Sequence, residues 1–299
     1  MSGEYTSAAG TRKYSLYLPA RYDASAKHML VVLLHGCTQD AADFARGTRI
    51  AAHADTVGFI ALLPEQPESA NPKKCWNWYD PAHQARDAGE PAIITGMTAK
   101  IMMDYRVDPD RVHLAGVSAG AAMASLVAVA YPETFASVAL HSGIPRGSAA
   151  NVMAALGVMA RGVPDDQARA LGAEAATAMG KGARPIPALV IYGGSDKVVN
   201  TANGHGTALL WAAMNRAVSG ASPVSVLVPA TEAGVDNGYH YQRQSYESGD
   251  REVVEISVQE LGHAWSGGSK EGTFTDEQGI DATIEVLRFF ARHPRNEKR

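Results

Sequence analysis

The apolar positions of the chain fall in short runs separated by longer segments with helical spacing. Lys13 to Pro19, Met29 to His35, Phe59 to Pro64, Arg111 to Val117, Ala136 to His141, Ala188 to Gly193 and Glu252 to Leu261 read as strands. Several of these runs are continuously apolar rather than alternating, the pattern of a strand covered on both faces of a parallel sheet. Between them, Ala92 to Tyr105 spaces Ile93, Met97 and Ile101 as one apolar stripe of a helix. The closing segment repeats the device with Ile280, Ile284 and Leu287, and Thr275 with Gln278 offers a capping box at its start. Asn151 to Gly182 is rich in Ala, Met and Gly and lies between two strands, so it reads as a small helical insertion, within 145–185, rather than a second domain. The expectation is one α/β catalytic domain over 1–299, with a mostly parallel central sheet covered by helices on both faces.

Composition narrows the choice of partners. With 46% apolar and 19% charged residues, the 299-residue chain is neither disordered nor collagen-like. It carries 27 basic and 31 acidic side chains, a net charge of −4, and no Lys/Arg-rich run. Nucleic acid is therefore not an expected partner, because phosphate binding needs a basic face. The longest apolar runs, such as Met29 to Leu34, are too short to span a bilayer, so no membrane span is expected either. The start of this numbering lacks the basic-then-apolar order of a secretory signal. The reading is a soluble protein, either cytoplasmic or written here without its leader. Cys37 and Cys75 are the two cysteines. They cannot build a zinc site alone and can form at most one disulfide; a pair and two separate buried thiols both stand at this point.

The strongest local signal is Gly116-Val117-Ser118-Ala119-Gly120, a G-x-S-x-G run between an apolar strand and a small-residue helix that ends near Tyr131-Pro132. A serine on so sharp a turn exposes its hydroxyl only if the residues two before and two after are too small to block it. A serine hydroxyl is a weak nucleophile at neutral pH. It needs an imidazole to accept its proton and a carboxylate to hold that imidazole in the right tautomer. In α/β-hydrolases these follow in the order Ser, acid, His. His263 stands just past the last predicted strand, after Gly262, where a loop residue can reach a neighbouring strand end. His205, His240 and His293 lie near a helix start, in a polar stretch and in a charged tail, and read as surface or capping residues. Asp196 directly follows the strand Ala188 to Gly193 and is preferred as the acid. Its competitor Asp236 belongs to Asp236-Asn237-Gly238, the composition of a plain turn.

A tetrahedral intermediate also needs backbone donors aimed at its oxygen. One is expected from the amide of Ala119, the residue after the nucleophile. The other is expected from the amide of Cys37, in the loop Leu34-His35-Gly36-Cys37-Thr38-Gln39 after an early strand. His35 reads as a structural hydrogen-bonder at a strand end. Three of the four tryptophans, Trp76, Trp78 and Trp265, fall near these residues in sequence, which suggests an apolar substrate surface.

Taken together, His35-Gly36-Cys37-Thr38-Gln39, Cys75-Trp76-Asn77-Trp78, the run around Ser118, Gly194-Ser195-Asp196 and Gly262-His263-Ala264-Trp265-Ser266-Gly267-Gly268 resemble the esterases of the poly(3-hydroxybutyrate) depolymerase family, α/β-hydrolases related to feruloyl and acetylxylan esterases. The resemblance extends from Tyr14 to about Phe290. It implies Ser118, Asp196 and His263 as a triad, Cys37 and Ala119 as oxyanion donors, a tryptophan, foremost Trp78, lining a polyester groove, and a Cys37–Cys75 disulfide. It implies in addition an extracellular or periplasmic setting. The expectation is a serine carboxylesterase with no metal or organic cofactor, acting on short-chain aliphatic polyester such as poly(3-hydroxybutyrate) or its oligomers. A feruloyl or acetylxylan type of esterase is the alternative, and a non-catalytic α/β-hydrolase scaffold is the reading from another class. Nothing in the sequence speaks to the oligomeric state.

Overall fold

The computed structural model describes residues 1–222 and 229–295. The chain opens with a hairpin of β1 (Ser2–Ser7) and β2 (Gly10–Tyr17), followed by β3 (His28–Leu34), α1 (Ala41–Thr48), α2 (Ile50–Val57) and β4 (Ile60–Pro64). Next come α3 (Gly89–Asp104), β5 (Val107–Val117), α4 (Ala119–Ala130) and β6 (Ser137–His141). An inserted helix pair, α5 (Val152–Arg161) and α6 (Asp165–Ala178), precedes β7 (Ala188–Gly193) and α7 (Ala202–Val218). A second hairpin, β8 (Ala230–Asp236) and β9 (Tyr239–Tyr246), leads to β10 (Val253–Val258), the two-residue strands β11 (Trp265–Ser266) and β12 (Thr275–Asp276), and the closing helix α8 (Ala282–Arg292).

Among the described residues, ten strands form one sheet in the order β1-β2-β4-β3-β5-β6-β7-β10-β9-β8. The six central strands from β4 to β10 run parallel, and each flanking hairpin joins them through one antiparallel strand, β2 beside β4 and β9 beside β10. This is the α/β-hydrolase fold. β3 shows why the apolar runs are continuous, since every one of its residues is buried. Alternate side chains of a strand point to opposite faces. Leu30, Val32 and Leu34 thus enter the core beneath α3, α4 and α7, while Met29, Val31 and Leu33 enter the core beneath α1, α2 and α8. Full burial of each such side chain is worth roughly 1.5 to 3 kcal/mol.

The seven expected strands all lie within the sheet, with ends shifted by a few residues, and α3 covers the expected helix. The insertion consists of two helices, and α6 lies so close to α7 that a Cβ at Gly172 would come 2.5 Å from the carbonyl oxygen of Leu210. Two expectations are corrected. Thr275 and Gln278 do not cap α8: Thr275 belongs to β12, and Gly279 at φ 78° bends the chain before the helix starts. The cap is Asp281, whose Oδ1 accepts the amide of Ile284 at 3.0 Å, and Ile280 is buried just outside the helix. The hairpin β8–β9 is absent from the expected strands because β8 is an exposed edge with almost no apolar signal.

Candidate active site

Residues at the carboxyl ends of parallel strands converge on one edge of such a sheet. Cys37 follows β3, Ser118 follows β5, Asp196 follows β7 and His263 follows β10. Ser118 occupies φ 55°, ψ −122°, a region that L residues avoid. Its amide donates to the carbonyl of His141 at 2.8 Å. The two flanking glycines are required by backbone contact. A Cβ at Gly116 would overlap the carbonyl of Gly120, and one at Gly120 would overlap the carbonyl of Leu34 at the end of β3. Only a chain without side chains at both points can turn this tightly from strand to helix.

His263 Nε2 lies 3.0 Å from Ser118 Oγ, and His263 Nδ1 lies 2.6 Å from Asp196 Oδ2. With Nδ1–H donating to the carboxylate, Nε2 is left as the acceptor for the serine proton. The other oxygen of Asp196 accepts the amides of Val198 at 2.8 Å and Val199 at 2.9 Å. Burial works to raise the Asp196 pKa. The hydrogen bond and charge of His263, with the two amides, outweigh it and hold the carboxyl below its ordinary value. The carboxylate therefore stays charged at neutral pH and can stabilise an imidazolium.

The loop after β3 is fixed from four sides. Buried His35 donates from Nδ1 to the carbonyl of Gly36 at 2.7 Å and accepts the amide of Gln66 on Nε2 at 3.0 Å. Burial pushes its pKa down to about 4, so the ring is neutral and keeps that tautomer. Gln39 Oε1 accepts the amide of Gly36 at 2.9 Å, while its Nε2 donates to the carbonyl of Thr273, also at 2.9 Å. The Thr38 amide donates to Lys73, and Cys37 is disulfide-bonded to Cys75. That bond closes a 38-residue separation and stabilises the fold by about 4 kcal/mol on the chain-entropy account. Among the described residues, the amides of Cys37 and Ala119 take no protein acceptor. They are two free donors beside Ser118.

A pocket of about 180 Å³ opens over Ser118 and His263. Its remaining walls are Gly36 to Gln39, Val117, Met159 of α5, Val198 and Phe274. Trp76, Trp78 and Trp265 do not line it, which corrects the expectation that they form the substrate surface. Trp76 is 0% exposed, Trp78 5% and Trp265 2%. Each was near the site in sequence, but each turns its ring toward the protein. Trp76 Nε1 donates to the carbonyl of His35, and Trp265 Nε1 donates to the hydroxyl of Thr283. Trp265 also stacks on His141, whose pKa burial, then the nearby His263, drives down to about 3. Both rings act as struts behind the loops that carry Cys37 and His263. Met159, Val198 and Phe274 were missed because no local pattern marks a pocket wall built from three separate segments.

The other candidates lie elsewhere. His205 bonds Glu255, His240 bonds Glu260 and His293 bonds Glu252, and Asp236 ends β8 at a turn in which Asn237 and Gly238 adopt φ 43° and 87°. Among the described residues, no group of three or more His, Cys, Asp and Glu side chains could hold a metal ion, and no helix is long and apolar enough to cross a membrane.

Residues 12–222 match the family of PHB depolymerase esterases. The chain belongs to this family of carboxylic ester hydrolases. It is 35% identical over 188 residues to poly(3-hydroxyalkanoate) depolymerase C of Paucimonas lemoignei, covering 62% of this chain and 44% of that protein. It is 27% identical over 278 residues to a poly(3-hydroxybutyrate) depolymerase of Ralstonia pickettii, covering 89% of this chain and 54% of that protein. The chain thus spans about half the length of these curated relatives. Among solved structures, an acetyl xylan esterase from Aspergillus awamori superposes with a TM-score of 0.73 at 20% identity, over 97% of this chain and 99% of that one. At that identity the likeness concerns the fold.

Proposed function

We propose that this PHB depolymerase-family chain is a serine carboxylesterase that hydrolyses short-chain aliphatic polyester, such as poly(3-hydroxybutyrate) or its oligomers. The observation that carries the reading is the unbroken chain of hydrogen bonds from Ser118 through His263 to Asp196 at the floor of an open pocket. In the proposed cycle, Ser118 Oγ attacks the ester carbonyl carbon and His263 Nε2 takes its proton. The charged Asp196 stabilises the imidazolium, and the amides of Cys37 and Ala119 hold the oxyanion. His263 then gives its proton to the departing alkoxide. Water attacks the acyl-enzyme by the same route, and the acid leaves as Ser118 regains its proton.

The aliphatic polyester is favoured over a sugar ester by the pocket lining of Met159, Val198 and Phe274, which is apolar. The two depolymerases among the relatives point the same way. The disulfide supports work in an oxidising compartment, extracellular or periplasmic. A fluorophosphonate that labels the wild type and fails on Ser118→Ala tests the nucleophile. A panel of hydroxybutyrate oligomers, methyl ferulate and acetylated xylan tests the substrate class. Turnover of ferulate or acetylxylan far above that of the oligomers would transfer the assignment to the feruloyl or acetylxylan type.

A further inference from the structure

Phe274 combines two features that the fold does not ask for. Its backbone sits at φ 52°, where a bulky side chain is strained, and the residue is 49% exposed, so only part of its surface is buried against that strain. The backbone around it is over-determined. The amide of Thr273 donates to Asp43 Oδ1 at 3.1 Å, the Thr273 hydroxyl bonds the other oxygen of Asp43, and the carbonyl of Thr273 accepts from Gln39. The Phe274 carbonyl accepts the amide of Trp265 at 2.7 Å, and the Thr275 hydroxyl donates to the carbonyls of Ser269 and Gly272. None of these bonds uses the Phe274 ring. A glycine would hold the same turn without strain. Something other than the turn accounts for an aromatic residue at this point.

The residue borders the pocket. Phe274 lines it together with Val198, from the loop after β7, and Met159, from the inserted helix α5. Gln39 ties the Phe274 loop to the segment that carries Cys37, so the ring is positioned by the same scaffold as the proposed oxyanion donors. On α5, Leu156 and Val152 lie one and two turns before Met159 on the same face, and both are exposed. Apolar surface therefore continues from the pocket for about 10 Å along the helix.

We propose that Phe274 is a specificity-determining residue: with Met159 and Val198 it forms an apolar clamp on the aliphatic chain of the ester held at Ser118. The proposal rests on the serine esterase reading and names the side chains that select its substrate. The test is kcat/KM for p-nitrophenyl acetate, butyrate and hexanoate with wild type, Phe274→Ala and Phe274→Gly, and with Met103→Ser, an exposed change on α3, as control. The hexanoate-to-acetate ratio is expected to fall about tenfold in both Phe274 variants, mainly through KM, and to stay unchanged in the control. Phe274→Gly is expected to melt at or above the wild-type temperature, because the strain leaves with the ring. An unchanged ratio overturns the clamp, and so does a proportional loss on all three esters accompanied by a lower melting temperature. Turnover of a 3-hydroxybutyrate trimer by the wild type is measured separately. A wild type inert on the trimer, with a chain-length ratio that still depends on Phe274, removes the polyester and retains the clamp.

Discussion

Two buried carboxylates, one just past the end of β7 and one in the middle of β10, each hold a histidine, and only the first pair meets a serine hydroxyl. Asp196 bonds His263 at 2.6 Å, and Glu255 of β10 bonds His205 of α7 at 3.0 Å. The pairs diverge at the second ring nitrogen. That of His263 faces Ser118 Oγ at 3.0 Å, whereas that of His205 faces Asp165 at 3.7 Å. They diverge again around the carboxylate. Asp196 has backbone amides on its free oxygen, while Glu255 accepts the hydroxyls of Tyr192 at 2.6 Å and Tyr246 at 2.7 Å. Burial, then the charge of Glu255, raises the pKa of both phenols, so they remain protonated donors. Glu255 thus ties β7, β9, β10 and α7 together, and Asp196 orients the proposed base. A carboxylate–histidine pair is common to both roles. A strained serine and an open pocket at the strand ends distinguish the pair proposed to react.

Matched substitutions in the two pairs separate their roles. His263→Ala is expected to lower kcat by roughly a million-fold, the scale of serine-hydrolase triads, and Asp196→Asn by about ten thousand-fold, because the wrong tautomer then faces the serine. His205→Ala and Glu255→Gln are expected to leave kcat within about threefold of wild type, since neither touches the pocket. Steady-state hydrolysis of p-nitrophenyl butyrate measures all four. A large loss in the second group would show that the two pairs are not separable.

Stability gives the converse. Glu255→Ala removes the acceptor of the part-buried Tyr192 hydroxyl and leaves Tyr246 with Gln244 alone, and the expected loss is about 1 to 3 kcal/mol, read as a lower urea midpoint. A midpoint equal to that of wild type would remove Glu255 from its structural role.

The smallest effect is on pH dependence. The hydrogen bond to Glu255 raises the pKa of His205 above its ordinary value; its charge and that of Asp165 add to this, while burial and Arg169 oppose it. A histidine whose pKa is raised on folding contributes stability that is fully present below its unfolded value of about 6.5 and is lost as pH rises through the folded value. His205 is partly exposed, so the contribution is expected to be under about 1 kcal/mol. The gap in urea midpoint between wild type and His205→Asn should be larger at about pH 5.5 than at about pH 8.5. A gap that widens toward alkaline pH would contradict the pairing.

Much of the frame was legible in the chain because burial on both faces forces continuous apolar runs, as in Met29 to Leu34. The turn at Ser118 was legible for a related reason. Backbone contacts of Gly116 and Gly120 leave no room for any other residue, so the constraint is written locally. The cap of α8 was misread because several side chains near its start can accept an amide, and Gly279 decided which one does. The tryptophans were misread for a different reason. Proximity in sequence to Cys75 or His263 says nothing about the side to which a ring turns.

The amino-acid order alone determined the layered α/β architecture and the types of group available for chemistry, since periodicity and small-residue turns act within a few positions. Which carboxylate meets His263, which apolar side chains close over Ser118, and why Phe274 carries strain were decided by the tertiary structure. Those relations join segments tens to more than two hundred residues apart, and a sheet edge brings them together only after every strand has taken its place.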